Sequence, residues 1–173
     1  MPFYYDKTTK KCLGFWSNPD EGPDNATATE TAPISGDQEW IGGKWEWPIA
    51  TLKAQKIADI RAAYDAMLES GLSYMGKVLQ IRPEDTDIID VIGQEARWAS
   101  VSGTGWDSAF AWRMADDSML PLPTPEDMIA LATAAKNEVY RLKRVKWFHE
   151  DALKGLNTIS AVKNYNISSG WQA

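Results

Sequence analysis

Between residues 50 and 173 the apolar positions fall at helical spacing in long stretches and alternate in the short stretches between them. Ile57, Ile60, Tyr64, Met67 and Leu68 recur every three or four residues, and Ser70-Gly71 supplies a C-terminal stop. "YMGKVLQI" (74–81) sets β-formers around a glycine and predicts a small hairpin. Pro83, followed by Glu84, Asp85 and Asp87, opens a second helix, with Ile88, Ile89, Ile92 and Ala96 as its apolar stripe. "AFAWRM" alternates, which puts Phe110, Trp112 and Met114 on one face of a strand, and "ADDS" (115–118) turns the chain into "MLPLP".

The clearest local signal is "TPEDM" at 124. Thr124 can cap a helix, Pro125 suits the first helical position, and Asp127 stands where a capping box carries its acid. The helix is predicted from Pro125 to about Lys154, roughly 45 Å long at the usual rise. Gly155 ends it, and Thr158 caps a last short helix through Tyr165. Met128, Ala135 and Leu142 repeat at seven, with Ala132 and Val139 four beyond the first two, so the first half imitates a heptad seam. Lys146 then occupies a seam position, and Trp147-Phe148 broaden the stripe. This break predicts that the first half packs on its own domain while Trp147 and Phe148 project toward a partner. A helix packed along its whole length inside the domain is the alternative.

Residues 1–48 show no helical periodicity. Phe3–Tyr5 and Leu13–Trp16 read as short aromatic strands around a polar turn at 6–11. "SNPDEGPDNATATETAP" cannot build a core and reads as an extended connector. "QEWIGGKWEWP" (38–48) then places three tryptophans within eight positions around Gly42-Gly43, which can take the positive φ angles of a primed hairpin turn. In that hairpin Ile41 flanks Lys44, Trp40 opposes Trp45, and Trp47 shares a face with Trp45. An aromatic cross-strand pair contributes about 0.2–1 kcal/mol, and an isolated two-stranded hairpin is marginal in water. The ring face is therefore expected to be covered, by the second domain or by another chain. The competing reading is a solvent-facing sugar platform.

The fold class expected is α+β: an extended aromatic β-hairpin arm over residues 1–48, then a mostly helical domain over 49–173. That domain carries a small antiparallel sheet and one long helix. The strands are few and local, which argues against a doubly wound parallel sheet.

Composition narrows the function classes. A net charge of −6 and a pI of about 4.8 argue against general nucleic-acid binding and against attraction to anionic membranes. No apolar run approaches the roughly 18 residues of a span, and "MPFYYDKTTKK" lacks the order of a signal peptide. The nine tryptophans point to contact-making roles, in cores, at interfaces or under sugars.

Candidate chemistry is sparse. Cys12 is the only cysteine, so no internal disulfide or zinc pair is available. "PEDTDIID" offers Asp85, Asp87 and Asp90, but the sixth and twelfth positions counted from Asp85 hold Asp90 and Ala96, not the Gly and Glu of a calcium loop. Acids in a first helical turn are favoured by the helix dipole in any case. His149, the only histidine, sits near the end of the long helix with no matching nucleophile, and reads as structural. Gly103-Thr104-Gly105 lacks a phosphate-loop lysine. Asn25 and Asn166 match a glycosylation pattern that carries little weight without a secretory signal. Lys136, Arg141, Lys143, Arg144 and Lys146 form a basic run that reads as a solvated face, or as one complementary to another subunit. The expectation is a protein without catalytic, cofactor or metal sites. Its partner-contact candidates are Trp40, Trp45, Trp47, Trp147 and Phe148.

Residues of about 52–171, two-thirds of the chain, resemble an uncharacterised domain of bacteriophage tail-fibre-type and tail-associated proteins. The resemblance lies in "LKAQKIADIRAAYDAMLESGL", the hairpin after it, "DTDIIDVIGQ", "AFAWRMADDSMLPLPTPEDMIALATAA" and the closing "LKGLNTISAVKNYNISSGW". The first 48 residues are similar to the opening of phage tail-fibre assembly proteins, through "CLGFW" and "APISGDQEW"; the usual acidic run is reduced here to Asp37 and Glu39. These resemblances imply a structural tail component, in a fibre or at the baseplate periphery, that docks to other tail proteins and self-associates. They also imply an alternative, a tail-fibre assembly chaperone acting in the host cytoplasm instead of the virion tail. A module that binds a host-surface glycan through exposed tryptophans is the third reading. No nucleic-acid or membrane partner is expected.

Overall fold

A computed structural model of the chain describes residues 2–15 and 23–172, and the fold is α+β. The described residues fall into two compact units, one within Met1–Ile57 and Leu153–Tyr165, the other within Ala58–Ala152 and Asn166–Ala173. Residue 48, where the sequence pattern changes, lies inside the first unit.

The first unit opens with β1 (Phe3–Asp6) and β2 (Cys12–Phe15), antiparallel, with the strand pairing shifted between Tyr4 and Tyr5. Asp6 shapes the turn between them: its Oδ1 accepts from the backbone N–H of Thr8 (2.8 Å) and of Thr9 (2.6 Å). The Thr9 amide in particular holds the Asp6 carboxyl below its ordinary pKa. Trp16 and residues 17–22 lie outside the described residues.

The remainder of the expected connector is not all connector. Ala26–Thr29 forms β3, which pairs antiparallel with β1 on the edge opposite β2. "ATAT" has no apolar face to announce a strand, but its β-branched threonines suit one. Asn25 Nδ2 donates to Asp6 Oδ2 at 3.0 Å, which fixes the start of the pairing.

The hairpin of β4 (Glu39–Ile41) and β5 (Lys44–Glu46) has the expected register, Trp40 opposite Trp45 and Ile41 opposite Lys44. Gly42 and Gly43 take φ of 60° and 85°, the positive values of a primed turn that a side chain would strain. The hairpin joins the first sheet where the Trp40 N–H donates to the Lys10 carbonyl at 2.8 Å. Helix α1 (Ile49–Ser70) starts in this unit, and the short α4 (Ile159–Asn164) completes it. Thr158 caps α4 as expected, accepting from the Ala161 N–H at 3.2 Å.

In the second unit, α1 stops at Gly71, whose φ is 74°, and a Cβ there would lie 2.6 Å from the Leu79 carbonyl oxygen. The hairpin of β6 (Leu72–Tyr74) and β7 (Lys77–Leu79) follows, then α2 (Pro83–Ser102). β8 (Ala111–Arg113) pairs antiparallel with β9 (Met119–Pro121) and leads into α3 (Pro125–Gly155). At the start of α3 the Asp127 N–H donates to Thr124 Oγ1 at 3.2 Å and the Thr124 N–H to Asp127 Oδ2 at 3.0 Å, the reciprocal box read from "TPEDM". The fully buried side chains of this core include Ile60, Leu79, Ile81, Met114, Leu131 and Leu142.

Two helix faces differ from expectation. On α2 the buried line is Ile89, Gly93, Ala96 and Ala99, while Ile88 is exposed. Gly93 decides this: a Cβ on it would come within 2.8 Å of the Ala132 Cβ, so α2 turns its smallest residue toward α3. On α3 the seam does not break at Lys146. Met128, Ala135, Leu142 and His149 are all buried, seven residues apart. Lys146 is half-buried with its ammonium 4.7 Å above the Tyr64 ring, so its stem lies along apolar surface while its charge meets a π face.

Candidate docking surface

Trp40 and Trp45 of the β4–β5 hairpin form a ring cluster with Tyr5 inside the first unit. Tyr5 of β1 stacks on Trp40 (5.4 Å between centroids, 19° between planes) and meets Trp45 edge-on at 6.2 Å. Trp40 and Trp45 are themselves edge-to-face at 5.3 Å. Trp45 is only 8% exposed, and its Nε1–H donates to the Thr31 carbonyl at 2.6 Å. Trp40 and Trp47 are half-buried. Buried Glu46, next in line, takes charge-assisted hydrogen bonds from Lys163 of α4 and from Lys44 (2.7 Å). Lys163 foremost, then Lys44, lowers the Glu46 pKa.

Trp147 and Phe148 stand differently. They are 47% and 68% exposed on the outer side of α3, opposite the buried seam. Tyr140 is 57% exposed and packs edge-to-face on Trp147 at 6.5 Å. Tyr140, Arg144 and Phe148 border a shallow depression of about 530 Å³ whose floor includes Val145 and Gly170. Exposed Lys136 and Lys143 flank the same rings. Rigid aromatic area and guanidinium side by side is the composition found where proteins contact one another. Of the five sequence candidates, the fold pairs Trp40 and Trp45 in one hairpin, leaves Trp47 just beyond the end of β5, and sets Trp147 with Phe148 on one helix face.

A second surface escaped the sequence reading. Ile88, Val91, Trp98 and Val101 are exposed on α2, Trp98 at 75% and Val101 at 87%. They lie on the side of α2 away from Gly93 and Ala96. Their spacing of three, seven and three residues was the available signal, but it overlaps the stripe through Ile89 and Ile92. Between α2 and α3 runs a groove of about 600 Å³, with Asp87 and Asp90 on one wall and Lys136 and Lys143 on the other.

His149 is buried, and its Nε2–H donates to the Ser169 carbonyl at 2.9 Å, so it serves the packing of residues 166–172. Asp85 is held by Arg82 (Nε to Oδ2, 2.8 Å) and caps α2 through the Arg82 N–H at 3.2 Å. Cys12 is half-buried. Among the described residues no group of three His, Cys, Asp or Glu side chains is placed to hold a metal ion. Among them, too, no helix is long and apolar enough to cross a membrane.

Residues 51–167, well over half of the chain, match a known family profile, described as "Domain of unknown function (DUF4376)". The chain belongs to the DUF4376 family. No curated protein and no solved structure matches it. The DUF4376 region contains both exposed helix faces in full, whereas the Trp40–Trp45 pair lies ahead of it.

Proposed function

We propose that the chain is a structural component of a phage tail, in a fibre or at the baseplate periphery, that works by protein–protein docking and not by catalysis. The observation that carries docking is the outer face of α3, where Tyr140, Trp147 and Phe148 stand exposed among Lys136, Lys143 and Arg144. Adjacent exposed rings with arginine beside them are the kind of surface that marks interaction sites. The tail setting rests on the resemblance of residues 52–171 to tail-associated domains. Mass spectrometry of purified virions tests it, with the chain present at stoichiometric level as the expected result.

A second reading, a tail-fibre assembly chaperone, draws on "CLGFW" and "APISGDQEW" in the first 48 residues. It predicts the chain in the infected-cell lysate, bound to fibre protein, and absent from the finished particle. Glycan recognition by the α3 rings is an outcome a glycan array reads directly.

A further inference from the structure

The outer face of α2 and the outer face of α3 carry opposite charge around exposed apolar side chains. On α2, Ile88, Val91, Trp98 and Val101 stand exposed, with exposed Asp87 and Glu95 among them. At about 100° per residue these six positions fall within roughly 140° of the helix circumference, on the side away from the core. On α3, Tyr140, Trp147 and Phe148 stand exposed among exposed Lys136, Lys143 and Arg144. Among the described residues, Asp87, Glu95, Lys136, Lys143 and Arg144 have no ion-pair partner within 4.0 Å. Each face therefore has apolar surface to cover and a majority of one charge sign, acidic on α2 and basic on α3, where exposed Asp151 stands among the cations.

Charge selects the occupant. Two α2 faces brought together would set Asp87 and Glu95 against their own copies, and two α3 faces would do the same with Lys143 and Arg144. Of the three pairings, α2 against α3 is the one that sets a mainly acidic rim against a mainly basic one, and like charges across an interface are strongly disfavoured. Both faces belong to one chain, so a second copy supplies the match. From this complementarity we infer that the chain self-associates by laying the α2 face of one copy on the α3 face of another. Trp98 is the anchor on one side, and Trp147 with Phe148 on the other; Asp87 and Glu95 meet the α3 cations at the rim. The inference deepens the docking reading and rests on it.

The test uses the full chain alone. Sedimentation velocity of the wild type from about 1 to 100 µM is expected to show a concentration-dependent oligomer, in the range of an ordinary reversible contact. Asp87→Lys with Glu95→Lys, and separately Lys143→Glu with Arg144→Glu, are each expected to weaken association at least about tenfold, because each turns the contact into a like-charge one. Mixed, the two variants regain association, since the reversed α2 of one fits the reversed α3 of the other. Trp98→Ser weakens association without changing the charges. All these positions are exposed, and unchanged circular dichroism and thermal midpoint establish that the variants fold. A wild type that stays monomeric throughout overturns the inference. So does a charge reversal without effect, or a mixture that fails to regain association. A monomeric chain still found in virions would remove self-association and leave tail docking standing; an associating chain absent from virions would do the reverse.

Discussion

The imidazole of His149 stacks on the indole of Trp171, with ring centroids 5.7 Å apart and planes inclined by 24°. Around this pair residues 166–172 are tied to α3 by directed bonds. His149 Nε2–H donates to the Ser169 carbonyl at 2.9 Å, and Arg141 donates to the carbonyls of Gly170 (3.2 Å) and Trp171 (2.7 Å). Arg141 is itself braced by Glu138, whose carboxylate raises the guanidinium pKa. Trp171→Ala is expected to lower unfolding free energy by about 3–5 kcal/mol, the usual range for a buried tryptophan. His149→Phe keeps a ring but leaves the Ser169 carbonyl without its donor, at about 1–3 kcal/mol. Urea unfolding measures both. Wild-type stability in Trp171→Ala would show that this segment does not contribute to the fold.

Glu46 predicts an acid sensitivity in the first unit. Its folded pKa lies below the ordinary glutamate value of 4.5, through Lys163 first and Lys44 second. For a depressed carboxylate the stabilisation is complete above the unfolded pKa and is lost as pH falls through the folded one. The urea midpoint should therefore hold steady down to about pH 5 and decline below about 4.5. Glu46→Gln should lower the midpoint at pH 7 and make the decline shallower. A variant with the wild-type slope would mean that this pair does not contribute to acid unfolding.

The Tyr5–Trp40–Trp45 cluster sets an order of sensitivity. Trp45→Ala should cost about 3–5 kcal/mol because the ring is buried. Trp45→Phe should cost about 1–3 kcal/mol, since the Thr31 carbonyl loses its donor. Trp40→Ala should fall below Trp45→Ala, since Trp40 is only half-buried. Denaturant titrations followed by near-ultraviolet circular dichroism give the ranking, and equal costs for Trp40 and Trp45 would contradict it.

Gly93 and Ala132 should behave as a coupled pair. A methyl at Gly93 would approach the Ala132 Cβ to 2.8 Å, so Gly93→Ala forces α2 and α3 apart. Overpacking of this kind costs about 1–3 kcal/mol, against about 1 kcal/mol gained in helix propensity. The informative quantity is the cycle: Gly93→Ala should be less damaging when Ala132→Gly accompanies it, with a coupling of at least about 0.5 kcal/mol. Additive effects would mean that the helices are not in contact there.

The sequence by itself determined the elements whose causes are local. Gly42-Gly43 sets the hairpin turn, Gly71 stops α1, Thr124 with Asp127 starts α3, and Thr158 starts α4, because each acts on backbone groups within a few residues. The register of Trp40 against Trp45 follows from the turn alone. What covers those rings was decided by the tertiary structure: Tyr5 lies 35 residues before Trp40, and no spacing rule connects them. β3 was hidden for the same reason, since "ATAT" becomes a strand only by pairing with β1. On α2 the sequence reading joins Ile88, Ile89, Ile92 and Ala96 in one apolar stripe, although Val91 and Trp98 continue a second one from Ile88. Periodicity cannot rank two faces of comparable hydrophobicity. The close approach of Gly93 to Ala132 ranked them, burying the face with the small residues and leaving Trp98 outside. On α3 the sequence placed a lysine in the seam, and only the position of the Tyr64 ring made that lysine compatible with continuous packing through His149.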